Sequence, residues 1–152
     1  MLLEKLPLRR EWEEGMEACV TVFVDDYAVL FIKRKERDDD PWSGQVALPG
    51  GRVKAGETPV ETAIREAQEE VGLKPRILGF FGLYSPLSRP VRVGVFVSPK
   101  TGEPKPDGRE VDEVFWADLR ELKEGESSFL YKTYRIWGMT YRITRDLKMY
   151  LN

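Results

Sequence analysis

Three glutamates fall within five residues of each other: Glu66, Glu69 and Glu70. On a helix, their i, i+3 and i, i+4 spacing puts three carboxylates within reach of one point. Like charges so placed repel by roughly 0.2–0.5 kcal/mol per pair on an exposed helix. A hard divalent cation that takes oxygen ligands turns this repulsion into binding. The plainer alternative is a solvated acidic face, with Arg65 paired to Glu61 and Glu69 at i, i+4. Just upstream, Gly50, Gly51 and Gly56 allow close backbone approach, and Glu57 adds a fourth carboxylate. A pliant turn beside clustered carboxylates suits water attack on a pyrophosphate. That substrate carries several negative charges and resists an anionic nucleophile. Divalent ions neutralise its oxygens and lower the pKa of bound water.

The carboxylates need a helix to hold them, and its ends are written in the chain. Thr58 followed by Glu61 forms a capping box, and Pro59 falls at the first helical position, where a missing N–H costs nothing. Gly72 sits where a left-handed C-terminal residue is wanted. Between them Val60, Ala63, Ile64, Ala67 and Val71 make one apolar stripe. Two alanines in that stripe predict close approach to a sheet.

The stretch Gly51 to Leu73 resembles the Nudix hydrolase signature. That pattern is Gly, five residues, Glu, seven residues, Arg-Glu, an apolar residue, any residue, Glu-Glu, any residue, Gly and an apolar residue. Gly51, Glu57, Arg65-Glu66 and Glu69-Glu70-Val71-Gly72-Leu73 meet its fixed positions, with Ala67 small where a bulkier aliphatic is usual. The resemblance implies an α/β fold, an α/β/α sandwich around a mixed β-sheet, spanning residues 1–152 as one domain. It implies Mg²⁺ or Mn²⁺ held by Glu66, Glu69, Glu70 and the carbonyl near Gly51. Arg65 would orient the glutamates, with Glu57 beside it. The substrate would be a nucleoside diphosphate linked to another group. The catalytic base varies in such proteins. It is either a glutamate of the helix, such as Glu69, or an acidic residue of a later loop, where Glu110 is the leading candidate ahead of Asp112 and Glu113.

Two further stretches resemble the coenzyme A pyrophosphatase branch of that family. Ser43-Gly44-Gln45-Val46-Ala47-Leu48-Pro49-Gly50-Gly51 is close to its Gly-x-x-x-Phe-Pro-Gly-Gly, with Leu48 for Phe. Arg135-Ile136-Trp137-Gly138-Met139-Thr140 is like its Ile-Trp-Gly-x-Thr, and Thr62 to Ala67 also suits it. The branch usually places an arginine where this chain has Asp40, with Arg37 three residues earlier. The substrate implied is coenzyme A or a derivative. ADP-ribose or another ADP-linked compound is the alternative. A non-catalytic nucleotide sensor belongs to a different class, and such relatives usually lose a glutamate that this chain retains.

Composition narrows the rest. The chain has no histidine, which excludes Ser-His-Asp and Cys-His catalysis and histidine-ligated zinc. A net charge of −2 gives no sign of a nucleic-acid partner. No apolar run approaches the roughly 18 residues of a membrane span, and no secretory signal is visible at Met1 to Lys5. Cys19 is the single cysteine and lies in an apolar run, which reads as a buried thiol and is consistent with the cytoplasm. A homodimer is compatible with all of this.

In order, Cys19–Val24 and Ala28–Ile32 read as strands about a tight turn. Lys33 to Asp40 reads as a charged loop whose Arg34 and Arg37 suit a clamp on phosphates, with Gly50 and Gly51 close to the substrate. Trp42 stacks on a base or plugs the core. Arg76–Leu83 and Val91–Val97 read as strands, Ser98–Asp107 as a surface excursion, and Glu110–Trp116 as a loop entering an edge strand. Asp118 caps a helical turn at Leu119–Leu122. The tail ends in an amphipathic helix with Met139, Ile143, Leu147 and Leu151 against the sheet. Trp12 is an anchor for an otherwise irregular N-terminus.

Overall fold

The computed structural model describes residues 1–38 and 44–152, so the expectations for Asp40 and Trp42 lie outside the described residues. Strand β1 (Ala18–Asp25) is the centre of the molecule and is buried along all but its last residue. Its β-branched run is covered on both faces, as a strand with no polar side must be. Val20, Val22 and Val24 face one layer, while Cys19 and Phe23 face the other. Helix α1 (Pro59–Val71) covers the second face with Ala63, Ala67 and Val71. Helix α2 (Gly138–Lys148) covers the first with Ile143 and Leu147. The α/β/α sandwich follows from these two facings.

Among the described residues the main sheet has seven strands. Strand β1 runs parallel to β6 (Val93–Pro99), which pairs antiparallel with β5 (Gly79–Tyr84). On its other edge β1 divides its partners. Its first residues pair with β4 (Gly50–Arg52), matching Cys19 with Gly51, and its last with β2 (Ala28–Arg34). Strand β2 also pairs with β3 (Val46–Ala47) and β7 (Val111–Asp118). A second sheet of three short strands, β8 (Lys123–Gly125), β9 (Ser128–Tyr131) and β10 (Tyr134–Trp137), leads into α2.

Several boundaries differ from the sequence expectation. Lys33 and Arg34 belong to β2 and not to the charged loop, because their backbone pairs with Glu113 and Val111 across a bulge. Gly50–Arg52 is a strand and not a loop, because β1 supplies its ladder partners. β5 starts at Gly79 rather than Arg76, and β6 extends through Pro99. Leu151 lies beyond the end of α2. A short 3₁₀ turn at Leu2–Glu4 buries Leu2 where irregular chain was expected. Trp12 packs edge-on to Phe96 at 5.0 Å and tilted to Phe80 at 6.0 Å, and so pins the N-terminal segment to the sheet. Among the described residues no helix is long and apolar enough to cross a membrane.

Candidate active site

Helix α1 is fixed at both ends. The Thr58 N–H donates to Glu61 Oε1 at 2.9 Å, and the Glu61 N–H donates to Thr58 Oγ1 at 3.2 Å, completing the capping box. Gly72 ends the helix in the left-handed region at φ 70°, where a Cβ would be strained. Since Ala67 and Val71 face the sheet, Glu66 and Glu70, each one residue before them, are carried to the edge of that face.

The edge they meet is β4. Glu70 is buried, and its Oε1 accepts from the Gly50 N–H at 2.8 Å. Burial pushes its carboxyl up to about 8. The Gly50 hydrogen bond and the charge of Arg34 oppose that rise, while the charges of Glu66 and Glu110 add to it. Glu66 lies against Gly51 so closely that a Cβ on Gly51 would stand 2.4 Å from its carboxylate carbon. Its carboxyl is also raised, first by burial and then by Glu69 and Glu110, against the lowering effect of Arg65.

Arg65 is the hub of the acidic side. Its Nε and Nη2 donate to Glu57 at 2.7 and 3.1 Å, and its Nη1 to Glu66 at 2.5 Å and Glu69 at 3.3 Å. Its Nη2 also reaches the Arg52 carbonyl at 3.0 Å, which ties the helix to β4. The Arg65 guanidinium, then the Thr62 hydroxyl, hold the Glu57 carboxyl down at about 2. Glu69 itself is exposed, with its carboxylate turned toward Arg65. The expected convergence of three glutamates is therefore carried by Glu66 and Glu70, with Glu69 drawn outward. Among the described residues no three Asp, Glu, Cys or His side chains are gathered tightly enough to hold an ion as they stand.

Glu110 approaches from a separate loop, and its charge acts on both Glu66 and Glu70. That loop is tightly held. Asp107 Oδ1 accepts from the backbone N–H groups of Arg109, Glu110 and Val111 at 2.9 to 3.0 Å. The Asp107 N–H donates to the Glu70 carbonyl. Lys35 Nζ donates to the Gly108 carbonyl at 2.9 Å, and Arg37 Nη2 to the Arg109 carbonyl at 2.8 Å. Sequence reading missed Asp107. The Asp107-Gly108 pair just ahead of Glu110 was the available sign of an Asx turn. Glu113 turns away, accepting from the Tyr134 hydroxyl at 2.7 Å and facing Lys33 at 3.5 Å. Asp112 is exposed at the bulge.

Beside β4 lies a cavity of about 740 Å³. Arg34, Gly50, Gly51 and Arg52 form its inner wall, and Trp137 and Arg142 come from the region of α2. Arg37 is not on that wall, because its guanidinium is engaged with the Arg109 carbonyl on the loop that bears Glu110. The donor set facing Gly51 is all oxygen and rich in mutually repelling carboxylates, which is the chemistry of a hard cation such as Mg²⁺ or Mn²⁺. In donor chemistry, though not in their present spacing, the residues fit such an ion.

A two-helix sandwich with a capped, carboxylate-bearing helix packed on a Gly-Gly strand defines a recognisable class. The NUDIX domain family matches residues 15–135, and the chain belongs to the Nudix hydrolase family. It is 38% identical over 101 residues to an ADP-ribose pyrophosphatase of Methanocaldococcus jannaschii, covering 64% of this chain and 58% of that protein. It is 30% identical over 141 residues to a mitochondrial coenzyme A diphosphatase of Homo sapiens, covering 77% of this chain and 60% of that protein. The chain thus spans somewhat under two-thirds of the length of both relatives. Among solved structures, the MutT NUDIX hydrolase of Burkholderia pseudomallei superposes with a TM-score of 0.60 at 24% identity, over 91% of this chain and 100% of that one. The MutT protein of Methanosarcina mazei Go1 gives a TM-score of 0.65 at 18% identity, over 91% and 97% of the two chains. These two likenesses concern the fold.

Proposed function

We propose that this chain hydrolyses the diphosphate bond of a nucleoside diphosphate derivative, with coenzyme A or one of its derivatives as the substrate. The observation that carries the reading is the seating of Glu66 against Gly51 and of Glu70 on the Gly50 N–H, with the charge of Glu110 acting on both. In this proposal Glu66, Glu69, Glu70 and the Gly51 carbonyl hold Mg²⁺ or Mn²⁺. When bound, the ion supplies charge neutralisation and a more acidic water. Arg65, braced by Glu57, sets the positions of Glu66 and Glu69. Arg34 meets the phosphates from the cavity side, and Gly50 and Gly51 let them approach the backbone. Water attacks phosphorus, the anhydride P–O bond breaks, and Glu110 accepts the water's proton; Glu69 is the second candidate for that role.

Likeness to the coenzyme A diphosphatase supports the substrate, together with the Ile136-Trp137-Gly138 segment, whose Trp137 lines the cavity. ADP-ribose is the second reading, supported by the 38% identity to the archaeal ADP-ribose pyrophosphatase. A cytoplasmic location belongs to the same proposal, supported by the single buried cysteine. The test is product release with Mg²⁺ from coenzyme A, ADP-ribose, dinucleoside polyphosphates and oxidised nucleotides, for the wild type and Glu70→Gln. Coenzyme A should turn over fastest, and Glu70→Gln should slow it by orders of magnitude. Tight binding of one compound with turnover of none would make the domain a sensor.

A further inference from the structure

The charge of the cavity is one-sided. Its described lining contains six arginines and neither aspartate nor glutamate, in a chain whose net charge is −2. Two of them, Arg34 and Arg52, belong to β2 and β4 and flank the Gly50–Gly51 strand. Others come from different elements. Arg89 projects from the loop between β5 and β6, and Arg142 and Arg145 stand one turn of α2 apart. Arg89 and Arg142 also line an adjoining groove along Leu83–Pro90, so they stand where the two hollows meet.

Arg142 carries the second observation. One arm of its guanidinium, Nη2, donates to the Ser85 carbonyl, which ties α2 to that loop. Its Nε is buried with no hydrogen-bond partner among the described residues. A buried donor left without an acceptor costs about 1–3 kcal/mol, so it is expected to have one in the working state. Guanidinium groups grip phosphate oxygens through paired N–H bonds. The carboxylate near this group, Asp146, is already engaged by Arg145 at 3.4 Å and by the Tyr84 hydroxyl at 2.6 Å.

We propose that Arg89, Arg142 and Arg145 form a subsite for a second anionic group of the substrate: a phosphate monoester on the ribose, distinct from the diphosphate that is cleaved. The inference rests on the nucleotide-hydrolase reading above and sharpens it. It selects substrates whose nucleoside carries an extra phosphate over otherwise identical ones that lack it.

The test uses pairs of compounds that differ only in that phosphate. With Mg²⁺, kcat/KM is measured for coenzyme A against its 3′-dephospho form, and for ADP-ribose against its 2′-phosphate. In parallel, binding of adenosine 3′,5′-bisphosphate is compared with that of AMP by calorimetry, which needs no turnover. In at least one hydrolysed pair the phosphorylated member should be preferred by about tenfold or more, chiefly through KM, the effect expected of one charge-assisted contact. Arg89→Ala should bring that ratio toward one. Arg142→Lys, which keeps the charge but loses the fork, should lower it several-fold. A ratio near one in the wild type, or variants that slow both members equally, overturns the subsite. If nothing is hydrolysed yet the bisphosphate binds at least tenfold tighter than AMP and Arg89→Ala removes the difference, the subsite stands and the hydrolase reading falls. If nothing is hydrolysed and the two nucleotides bind alike, both fall.

Discussion

Replacing Gly51 with alanine should separate catalysis from stability. The added Cβ would stand 2.4 Å from the Glu66 carboxylate carbon and 2.5 and 2.7 Å from its oxygens, where ordinary contact begins at 3.4 Å. The carboxylate must therefore retreat by about 1 Å. It is the far end of a flexible side chain rather than backbone, though only 14% exposed, so the fold accommodates the shift at a cost expected near about 1 kcal/mol, the low end for overpacking. Its 2.5 Å contact with Arg65 lies along the same path and must be remade. A misplacement of about 1 Å at a reacting centre costs on the order of 10²-fold in rate. Gly50→Ala is the contrast. Its Cβ would strike the Cys19 carbonyl oxygen at 2.2 Å and Val20 Cα at 2.7 Å, both backbone atoms of the central strand. Forcing them apart should cost about 1–3 kcal/mol and lower Tm by several degrees for a domain of this size. The assay is Mg²⁺-dependent hydrolysis of coenzyme A alongside thermal unfolding of each variant. Gly51→Ala should keep its Tm within about 2 °C of wild type and lose about 10²-fold in kcat. A folded Gly51→Ala protein with undiminished turnover would refute the reasoning, because Glu66 would then not need its place against Gly51.

Other tests follow from single contacts. The Glu57 carboxyl is lowered from 4.5 to about 2, so its stabilising effect is complete above pH 4.5 and lost as pH falls through 2. Glu57→Gln should lower Tm at pH 6 and flatten its dependence on pH between those values; parallel Tm–pH curves would contradict this. Burial, with a smaller push from Glu57, raises the Cys19 thiol to about 12. A disulfide reagent at pH 8 should therefore leave it unmodified until the protein unfolds, and stoichiometric labelling of the native protein would count against that burial. Ile143→Ala, in the layer between α2 and the sheet, should cost about 2–5 kcal/mol by denaturant titration. Asp107→Ala removes the acceptor for three backbone N–H groups, so it should lower kcat more than it raises KM, with Asp107→Asn partly restoring the rate.

What the chain disclosed in advance was local. The capping box of Thr58 and Glu61, Pro59 at the start of α1 and Gly72 at its end all depend on neighbours in sequence, and all are present. The central strands were legible because a run such as Val20 to Val24 suits a strand with both faces covered. The misses depend on distant partners. Gly50–Arg52 becomes a strand only because β1 lies beside it, and Lys33 and Arg34 extend β2 only because β7 does. The strands β8 to β10 are only three or four residues long, too short for an alternation to announce them. Arg37 shows the same limit at the site. Its type suits a phosphate clamp, yet a backbone carbonyl more than seventy residues away takes its guanidinium.

That contact changes how the acidic side is understood. Glu110 bears on Glu66 and Glu70 because its loop is fastened from three directions. Asp107 closes it from within, the Glu70 carbonyl anchors it to α1, and Lys35 and Arg37 reach over from the end of β2. The helix end that carries one carboxylate therefore also sets the loop that carries another. Strand β4, whose first two residues have no side chains, borders both: it lines the arginine-rich cavity and it touches Glu66 and Glu70. A diphosphate against that strand would have carboxylates for a cation on one side and guanidinium groups on the other. Any side chain at Gly50 or Gly51 would collide with β1 or with Glu66, so the two halves can meet only across bare backbone.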